Sequence, residues 1–245
     1  MSRVCLPARS ADDWRPLLAR PDRHWVPGRS AHALAHAWQA ATAGAPGGMP
    51  PEVRAVLAGH PDLANAQVLA VFPEHATPLP GGTRPSQTDA LVLARAADGL
   101  AVVGVEGKAG EPFGPTIDQW QAGRTPADRA GEGARPGRQE RLAFLMATLG
   151  LDSLPGDVRY QLLHRTAAAV IEADRFAARH AIVLVHAFDP PGPDGQQAGF
   201  GDFAAFVALF GGVARPGGLA SVDRPAGAGG PRWLHFGWAT GAASA

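Results

Sequence analysis

The segment TDALVLARAADGLAVVGVEGKA, residues 88–109, constrains the fold more than any other part of the chain. It contains two runs of aliphatic and β-branched residues, and Asp98-Gly99 lies between them. An Asp-Gly pair between two such runs is typical of a β-hairpin, because both residues tolerate the positive φ angles of a tight turn. The segment therefore predicts two adjacent antiparallel strands.

The segments on either side of this hairpin predict an α/β fold. Upstream, PEVRAVLAGH from Pro51 predicts a short helix, AQVLAVF at 66–72 predicts a buried strand, and 73–85 predicts a loop rich in Pro and Gly. Downstream, the expected elements are two helices, a strand, a helix and a last strand, in RQERLAFLMATLGL, VRYQLLHRTAAAVIEADRFAA, HAIVLVHAF, FGDFAAFVALFGG and RWLHFGWA. We expect a mixed central sheet flanked by helices.

The first 48 residues predict a helical extension that precedes this α/β domain. Ser30 followed by AHALAHAWQAAT is typical of a helix with Ser30 as its N-cap. The Gly- and Pro-rich stretch at 44–48 then provides the best internal boundary. We therefore expect an N-terminal helical extension over residues 1–48 and an α/β domain over residues 49–245.

Composition limits the environment and the partners of the chain. Its 22 basic and 22 acidic residues cancel, which excludes the strong overall positive field of many nucleic-acid binders but allows a local basic patch. No apolar run reaches the length of about 20 residues needed for a membrane span, and the N-terminus lacks the apolar core of a secretory signal. The single cysteine, Cys5, excludes an internal disulfide. We expect a cytoplasmic protein with no membrane partner.

Lys108 is the only lysine among these 22 basic residues. It follows Glu106 by two positions at the end of the second hairpin strand, so both side chains are expected on one face of the sheet. Asp89, at the start of the first hairpin strand, can converge on the same face. Two carboxylates and a backbone carbonyl would provide the oxygen ligands that Mg²⁺ prefers. Lysine offers a compact ammonium whose pKa responds to burial, whereas arginine stays charged and planar. The alternative interpretation is an ordinary surface ion pair.

An Asp followed on the paired strand by Glu-x-Lys resembles the motif of the PD-(D/E)XK nuclease superfamily, with Thr88 where the motif has proline. SQTDALVL, VEGKAGEPFG and RYQLLHRTAAAVIEA are similar to an uncharacterised bacterial group of restriction-endonuclease-like proteins within it. The resemblance implies an αβββαβ core over about residues 51–188. It also implies that Asp89 and Glu106 bind Mg²⁺, or Mn²⁺ in its place, with the Gly107 carbonyl, and that Lys108 acts on the attacking water.

Gln161 and Arg165 lie on one face of the helix that is predicted after the hairpin. Members of the superfamily often direct a polar residue, sometimes Gln, from this helix toward the metal and the phosphate. Gln161 is therefore expected to orient the water, and Arg165 to bind a phosphate through two parallel hydrogen bonds. A solvated polar edge of the helix is the alternative for both residues.

Other candidate residues carry weaker signals. Glu74 and Glu111 lie near the same strand ends and are either additional carboxylates or loop surface. His32 and His36 have i, i+4 spacing without the acidic residue or third ligand of a zinc motif, which favours a helix surface. Five arginines offer phosphate contacts or belong to a solvated loop: Arg124, Arg129, Arg135, Arg138 and Arg141.

Two functions of different classes remain at this stage. The first is a Mg²⁺-dependent nuclease that hydrolyses DNA phosphodiester bonds. The second is a catalytically inactive protein that keeps the nuclease fold and serves in interactions, which suits the zero net charge and the lack of a DNA-reading module. The oligomeric state stays open, with a homodimer as one option.

Overall fold

A six-stranded mixed sheet forms the centre of the protein, which we describe from a computed structural model covering residues 8–123, 136–188, 197–224 and 230–242. The strands are ordered β1-β2-β3-β4-β6-β5 across the sheet. The strand bounds are Gln67–Thr77 (β1), Ser86–Ala96 (β2), Gly99–Lys108 (β3), His180–Ala187 (β4), Leu219–Asp223 (β5) and Trp233–Thr240 (β6).

The predicted hairpin is confirmed. β2 and β3 pair in antiparallel register from Ala96 opposite Gly99 to Ala90 opposite Val105. β1 pairs with β2 and β5 with β6 in the same antiparallel sense, whereas β3, β4 and β6 run parallel to one another. The parallel strands β3 and β4 are connected by long segments that carry helices, as such crossovers require.

Helices cover both faces of the sheet, which confirms the predicted α/β architecture. Their bounds are Pro21–His24 (α1), Ser30–Gly44 (α2), Pro51–Leu57 (α3), Ile117–Ala122 (α4), Pro136–Leu149 (α5), Tyr160–Arg175 (α6) and Phe200–Ala208 (α7). α2 and α3 share one apolar core with the sheet, and α6 and α7 share the other. The apolar stripe of α6 is buried against the sheet and includes Leu162, Leu163, Ala167 and Val170.

The N-terminal region packs directly on the sheet. Trp14, Leu34 and Trp38 lie in the same apolar cluster as Val71 and Val103 of the central strands. The division of the chain at residue 48 stays a prediction. Every helix within the described ranges is too short or too polar to span a bilayer.

Several predicted boundaries were wrong. Ser30 is the first residue of α2 and Arg29 its N-cap, because the Arg29 carbonyl accepts the first hydrogen bond, from the amide of Ala33. The expected loop at 73–85 is shorter, because β1 continues through Pro73 to Thr77 along β2. Pro73 is tolerated there because β1 is an edge strand. The short elements α1, α4 and β5 were not predicted.

A chain of hydrogen bonds crosses the sheet near the β2–β3 turn. His180 Nε2 lies 2.7 Å from Asp98 Oδ1, its Nδ1 lies 3.0 Å from His235 Nε2, and His235 Nδ1 lies 2.8 Å from Ser221 Oγ. Both histidines are fully buried. Burial first, and then the neighbouring His180 and His60, lower the pKa of His235 to about 3.

We expect this buried histidine to make the protein sensitive to acid. An unfolded histidine titrates near 6.5, so between pH 6.5 and 3 the unfolded chain binds a proton that folded His235 does not. The contribution of neutral His235 to the free energy of unfolding is therefore fully present above pH 6.5 and is lost as the pH falls from 6.5 toward 3. At pH 5 the free energy of unfolding is expected to be lower by on the order of 2 kcal/mol. Urea unfolding at pH 7.5 and pH 5 measures it.

The matched variants for this experiment are His235→Gln and His24→Gln, since His24 is an exposed histidine. His235→Gln should lose this part of the pH dependence and His24→Gln should keep it. An unchanged pH dependence in His235→Gln would show that other groups cause the acid sensitivity.

Candidate active site

The predicted site residues lie where β2 separates from β3. The regular pairing of these strands stops at Ala90 and Val105, one residue before Asp89 and Glu106. Beyond that point Asp89 Oδ2 accepts a hydrogen bond of 2.9 Å from the Gly107 amide. A carboxylate thus takes the place of a strand carbonyl, and the end of β3 is left open for side chains.

The side-chain alternation of the neighbouring strand β1 changes phase at this end of the sheet. In β1, Phe72 stacks on Phe176 and His75 contacts Glu172, so residues three apart face α6. Strict alternation would place them on opposite faces. Between them Glu74 has a φ of 51°, in the left-handed region that is uncommon for residues other than glycine. The strained residue turns Glu74 toward the same end of the sheet as Asp89.

Glu106 is the centre of the cluster. Its Oε1 accepts hydrogen bonds from Lys108 Nζ at 2.9 Å and from Gln161 Nε2 at 2.6 Å, and its Oε2 accepts from Arg165 Nε at 2.7 Å. Glu106 is only 5% exposed. Burial by itself would raise the pKa of Glu106, but Lys108 and Arg165 outweigh burial and lower it to about 2. Glu106 is therefore ionised at every physiological pH.

Lys108 is held from three sides. Its Nζ donates to Glu106 and to Gln161 Oε1 at 3.2 Å, and it lies 4.7 Å from the centre of the Phe113 ring. Lys108 is 3% exposed. The interpretation of Glu106 and Lys108 as a surface ion pair is therefore wrong, since both groups are buried.

Asp89 and Glu74 have an electrostatic environment opposite to that of Glu106. Burial, followed by the charge of Glu106, raises the pKa of Asp89 to about 7. Burial and the charge of Asp89 raise the pKa of Glu74 to about 8, although Gln87 Nε2 donates to it at 2.7 Å. Among the described residues, the cation nearest to Asp89 is Arg165, whose Nη2 lies 3.7 Å from Asp89 Oδ1. Asp89 and Glu74 therefore lack the directly hydrogen-bonded cations that keep Glu106 ionised.

α6 supplies the polar side chains that complete the site. Gln161 projects into the cluster, as predicted, and Arg165 lies beside it with its guanidinium on Glu106, so the solvated-edge alternative is wrong for both. The binding of a phosphate by Arg165 stays a prediction. Next to them, Ser86 Oγ lies 2.8 Å from His164 Nδ1. Burial, followed by the charge of Arg165, lowers the pKa of His164 well below its usual value, so this ring is neutral.

Two cavities open on either side of Gln161. The acidic cavity, of about 410 Å³, is lined by four carboxylates and three arginines: Glu74, Asp89, Glu106, Glu111, Arg23, Arg29 and Arg165. The second cavity, of about 700 Å³, is lined by Lys108 and by residues of the β1–β2 loop, α4 and α5. Gln161 lines both. Glu74 and Glu111 thus belong to the acidic cavity.

The remaining candidate residues divide into several groups. The His32 and His36 rings lie 4.3 Å apart beside Trp25, and no third ligand among the described residues joins them. Arg138 and Arg141 donate to backbone carbonyls of α4 and of the β1–β2 loop. The other arginines of the predicted loop lie outside the described residues: Arg124, Arg129 and Arg135.

A group of three residues that the sequence did not indicate could also hold a metal ion. One ligand atom from each of Asp62, Asp98 and His180 lies within 4.8 Å of the others. This group lies at the β2–β3 turn, at the opposite end of β3 from Lys108. The residues come from a loop, a turn and a strand, so no local spacing could have predicted the group. The Nε atom of Arg179 also lies 2.8 Å from Asp98 Oδ2.

No curated protein and no solved structure matches the chain. A family described as a domain of unknown function, DUF6946, matches residues 7–243. This range includes the N-terminal helices, the sheet and both cavities. The chain therefore belongs to the DUF6946 family.

Proposed function

We propose that the protein is a metal-dependent nuclease that hydrolyses DNA phosphodiester bonds with Mg²⁺, or with Mn²⁺ in its place. One observation carries the proposal: Asp89, Glu106 and Lys108 meet Gln161 in a buried cluster at the open end of β3. A buried lysine that is hydrogen-bonded to a carboxylate beside further carboxylates is a costly arrangement for structural purposes alone.

The donor chemistry of the acidic cavity fits a hard divalent cation. Burial raises the pKa of both Asp89 and Glu74, and a neighbouring carboxylate adds to each shift, Glu106 for Asp89 and Asp89 for Glu74. A divalent cation would offset both causes. Oxygen ligands are those that Mg²⁺ prefers. The Gly107 amide points toward Asp89, and its carbonyl points the same way, because both groups of one strand residue face the same neighbour. Asp89, Glu106 and this carbonyl are the proposed ligands.

Each side chain then has a distinct role in hydrolysis. A bound divalent cation supplies an acidified water and neutralises phosphate charge. Lys108 and Gln161 form a donor and acceptor pair that can hold a water molecule against the phosphorus. Their geometry is preset, because the two groups bond each other and Glu106. Arg165 lies at the same edge and can donate two hydrogen bonds to a phosphate.

One observation favours the alternative of an inactive protein that serves in interactions. The Arg165 guanidinium contacts Glu106 and faces Asp89, so an internal cation already compensates the two proposed ligands. In a nuclease this side chain must move toward the phosphate when a divalent cation binds. In an inactive protein it would stay, and the site would not bind Mg²⁺.

Calorimetric titration of the purified protein with Mg²⁺ and Mn²⁺, beside a DNA cleavage assay, tests the proposal. We expect binding of one of these cations, and cleavage that EDTA abolishes and added Mg²⁺ restores. Ca²⁺, with its looser coordination geometry, serves as a cation that supports binding with little hydrolysis. Absence of both binding and cleavage would contradict the proposal and favour the interaction protein.

A further inference from the structure

The 700 Å³ cavity beside Lys108 differs in character from the acidic cavity. Its described lining contains no aspartate or glutamate and four cationic residues: Arg84, Lys108, Arg138 and Arg141. It shares only Gln161 with the acidic cavity. The cavity beside Lys108 therefore favours an anionic ligand, next to the carboxylates that lie on the other side of Gln161.

The walls of this cationic cavity are held by specific interactions. Arg141 donates to the carbonyls of Leu79, Pro80 and Gly82 and so fastens the β1–β2 loop to α5. Arg138 donates to the carbonyls of Trp120 and Gln121 and so ties the end of α4 to α5. Because these arginines are bonded to backbone groups, they hold the shape of the cavity and also contribute positive potential to it.

Arg84 differs from the other cations in the cavity. It is exposed on the β1–β2 loop and, among the described residues, makes no hydrogen bond or ion pair. Lys108, by contrast, already bonds Glu106 and Gln161. Arg84 is therefore the residue of the described lining whose whole guanidinium is available to a ligand.

Flat apolar surfaces complete the lining. Trp120 and Tyr160 stack with ring centres 4.1 Å apart and planes inclined by 12°, and the Arg138 guanidinium lies 5.4 Å above Trp120. Pro112 and Pro115 face the same space. Aromatic surfaces beside cationic side chains are how proteins bind unpaired bases and their phosphates.

The size of the cavity selects among nucleic acids. A sphere of 700 Å³ is about 11 Å across. The major groove of B-DNA alone is about 12 Å wide, and the whole duplex is wider than its groove. An intact duplex therefore does not fit, whereas the volume lies within the range of pockets that enclose small ligands, about 300–1,000 Å³.

We propose that this cavity binds an unpaired nucleotide next to the phosphate that is cleaved, so that the substrate is single-stranded DNA or an unpaired strand end. Arg84 contacts a phosphate of that strand, and the wall of Trp120 and Pro115 contacts the base. This inference rests on the proposed function, because it places the scissile phosphate between Lys108 and the acidic cavity.

The test is fluorescence anisotropy in EDTA with labelled dT12 and with the duplex dT12·dA12 at one salt concentration. We expect dT12 to bind at least about 10-fold more tightly than the duplex, and Arg84→Ala and Trp120→Ala each to weaken dT12 binding about 10-fold. The matched control is Arg95→Ala. Arg95 is exposed at the other end of β2, about 30 Å from Arg84, and its replacement should change nothing.

Several outcomes separate this inference from the proposed function. Equal affinity for duplex and single strand, or unchanged binding in Arg84→Ala, would overturn the inference even if the protein cleaves duplex DNA. dTMP that binds as tightly as dT12 would overturn the assignment to a DNA strand. Selective dT12 binding that depends on Arg84, without cleavage in Mg²⁺, would support the cavity assignment and refute the nuclease. Arg84 is exposed, so its variant reports on binding even if Trp120→Ala unfolds.

Discussion

Replacing Lys108 with arginine is expected to lower metal-dependent cleavage by at least about 100-fold, although the charge is unchanged. The ammonium bonds Glu106 and Gln161 and lies over the Phe113 ring in a space with almost no solvent. A guanidinium is larger and planar, so it must displace one of these groups. A displacement of about 1 Å at a reacting centre costs on the order of 100-fold in rate. Single-turnover cleavage with excess protein measures the change.

The control for this substitution is Arg95→Lys, the reverse exchange at an exposed position of β2, which should cleave at the wild-type rate. Mg²⁺ affinity of Lys108→Arg should stay within a few-fold of wild type, since Lys108 is not a proposed ligand. Wild-type rates in Lys108→Arg would show that any cation suffices at this position and would remove the proposed chemical role of the lone lysine.

Replacing Asp89 with asparagine is expected to abolish detectable cleavage and to weaken Mg²⁺ binding by more than about 100-fold. Loss of a group that merely supports a metal ligand costs 10- to 100-fold in affinity, and Asp89 is a proposed ligand itself. Asparagine keeps an oxygen that can accept the hydrogen bond from the Gly107 amide, so the strand end should persist. Calorimetric titration with Mg²⁺ and the cleavage assay measure the two effects.

A stability measurement gives Asp89→Asn a second signature. The pKa of Asp89 is raised to about 7, so its ionisation destabilises the metal-free protein as the pH rises through that value. At pH 8.5 in EDTA the variant should therefore melt at a higher temperature than wild type. Asp152→Asn, at an exposed aspartate, should change neither melting nor cleavage. If Asp89→Asn binds Mg²⁺ as wild type does, Asp89 is not a ligand.

Much of the fold could be predicted from local patterns. The Asp98-Gly99 turn, the buried strand HAIVLVHA and the apolar stripe of α6 each depend on residues close together in the sequence. β5 was missed because its five residues alternate too briefly to stand out from a Gly- and Pro-rich region. α4 was missed because its six residues are too few to show a helical period.

The sequence by itself determined which side chains share a strand end or a helix face. Glu106 and Lys108 are two apart on β3, and Gln161 and Arg165 are four apart on α6, so strand and helix periodicity place each pair on one side. Both pairs meet as predicted, because α6 packs on the sheet through its apolar stripe and thereby directs its polar residues toward the end of β3.

Only the tertiary structure decided the charge state and the surroundings of that meeting point. Glu74 joins Asp89 because its left-handed backbone breaks the alternation of β1, and no periodic pattern predicts such a break. Glu106 stays ionised because Lys108 and Arg165 both contact it, whereas burial and the charge of Glu106 shift Asp89 toward neutrality. Arg84 and Trp120 line one cavity although 36 positions separate them in the sequence. Burial and electrostatic interactions depend on distances in space, which sequence periodicity specifies only within a single helix or strand.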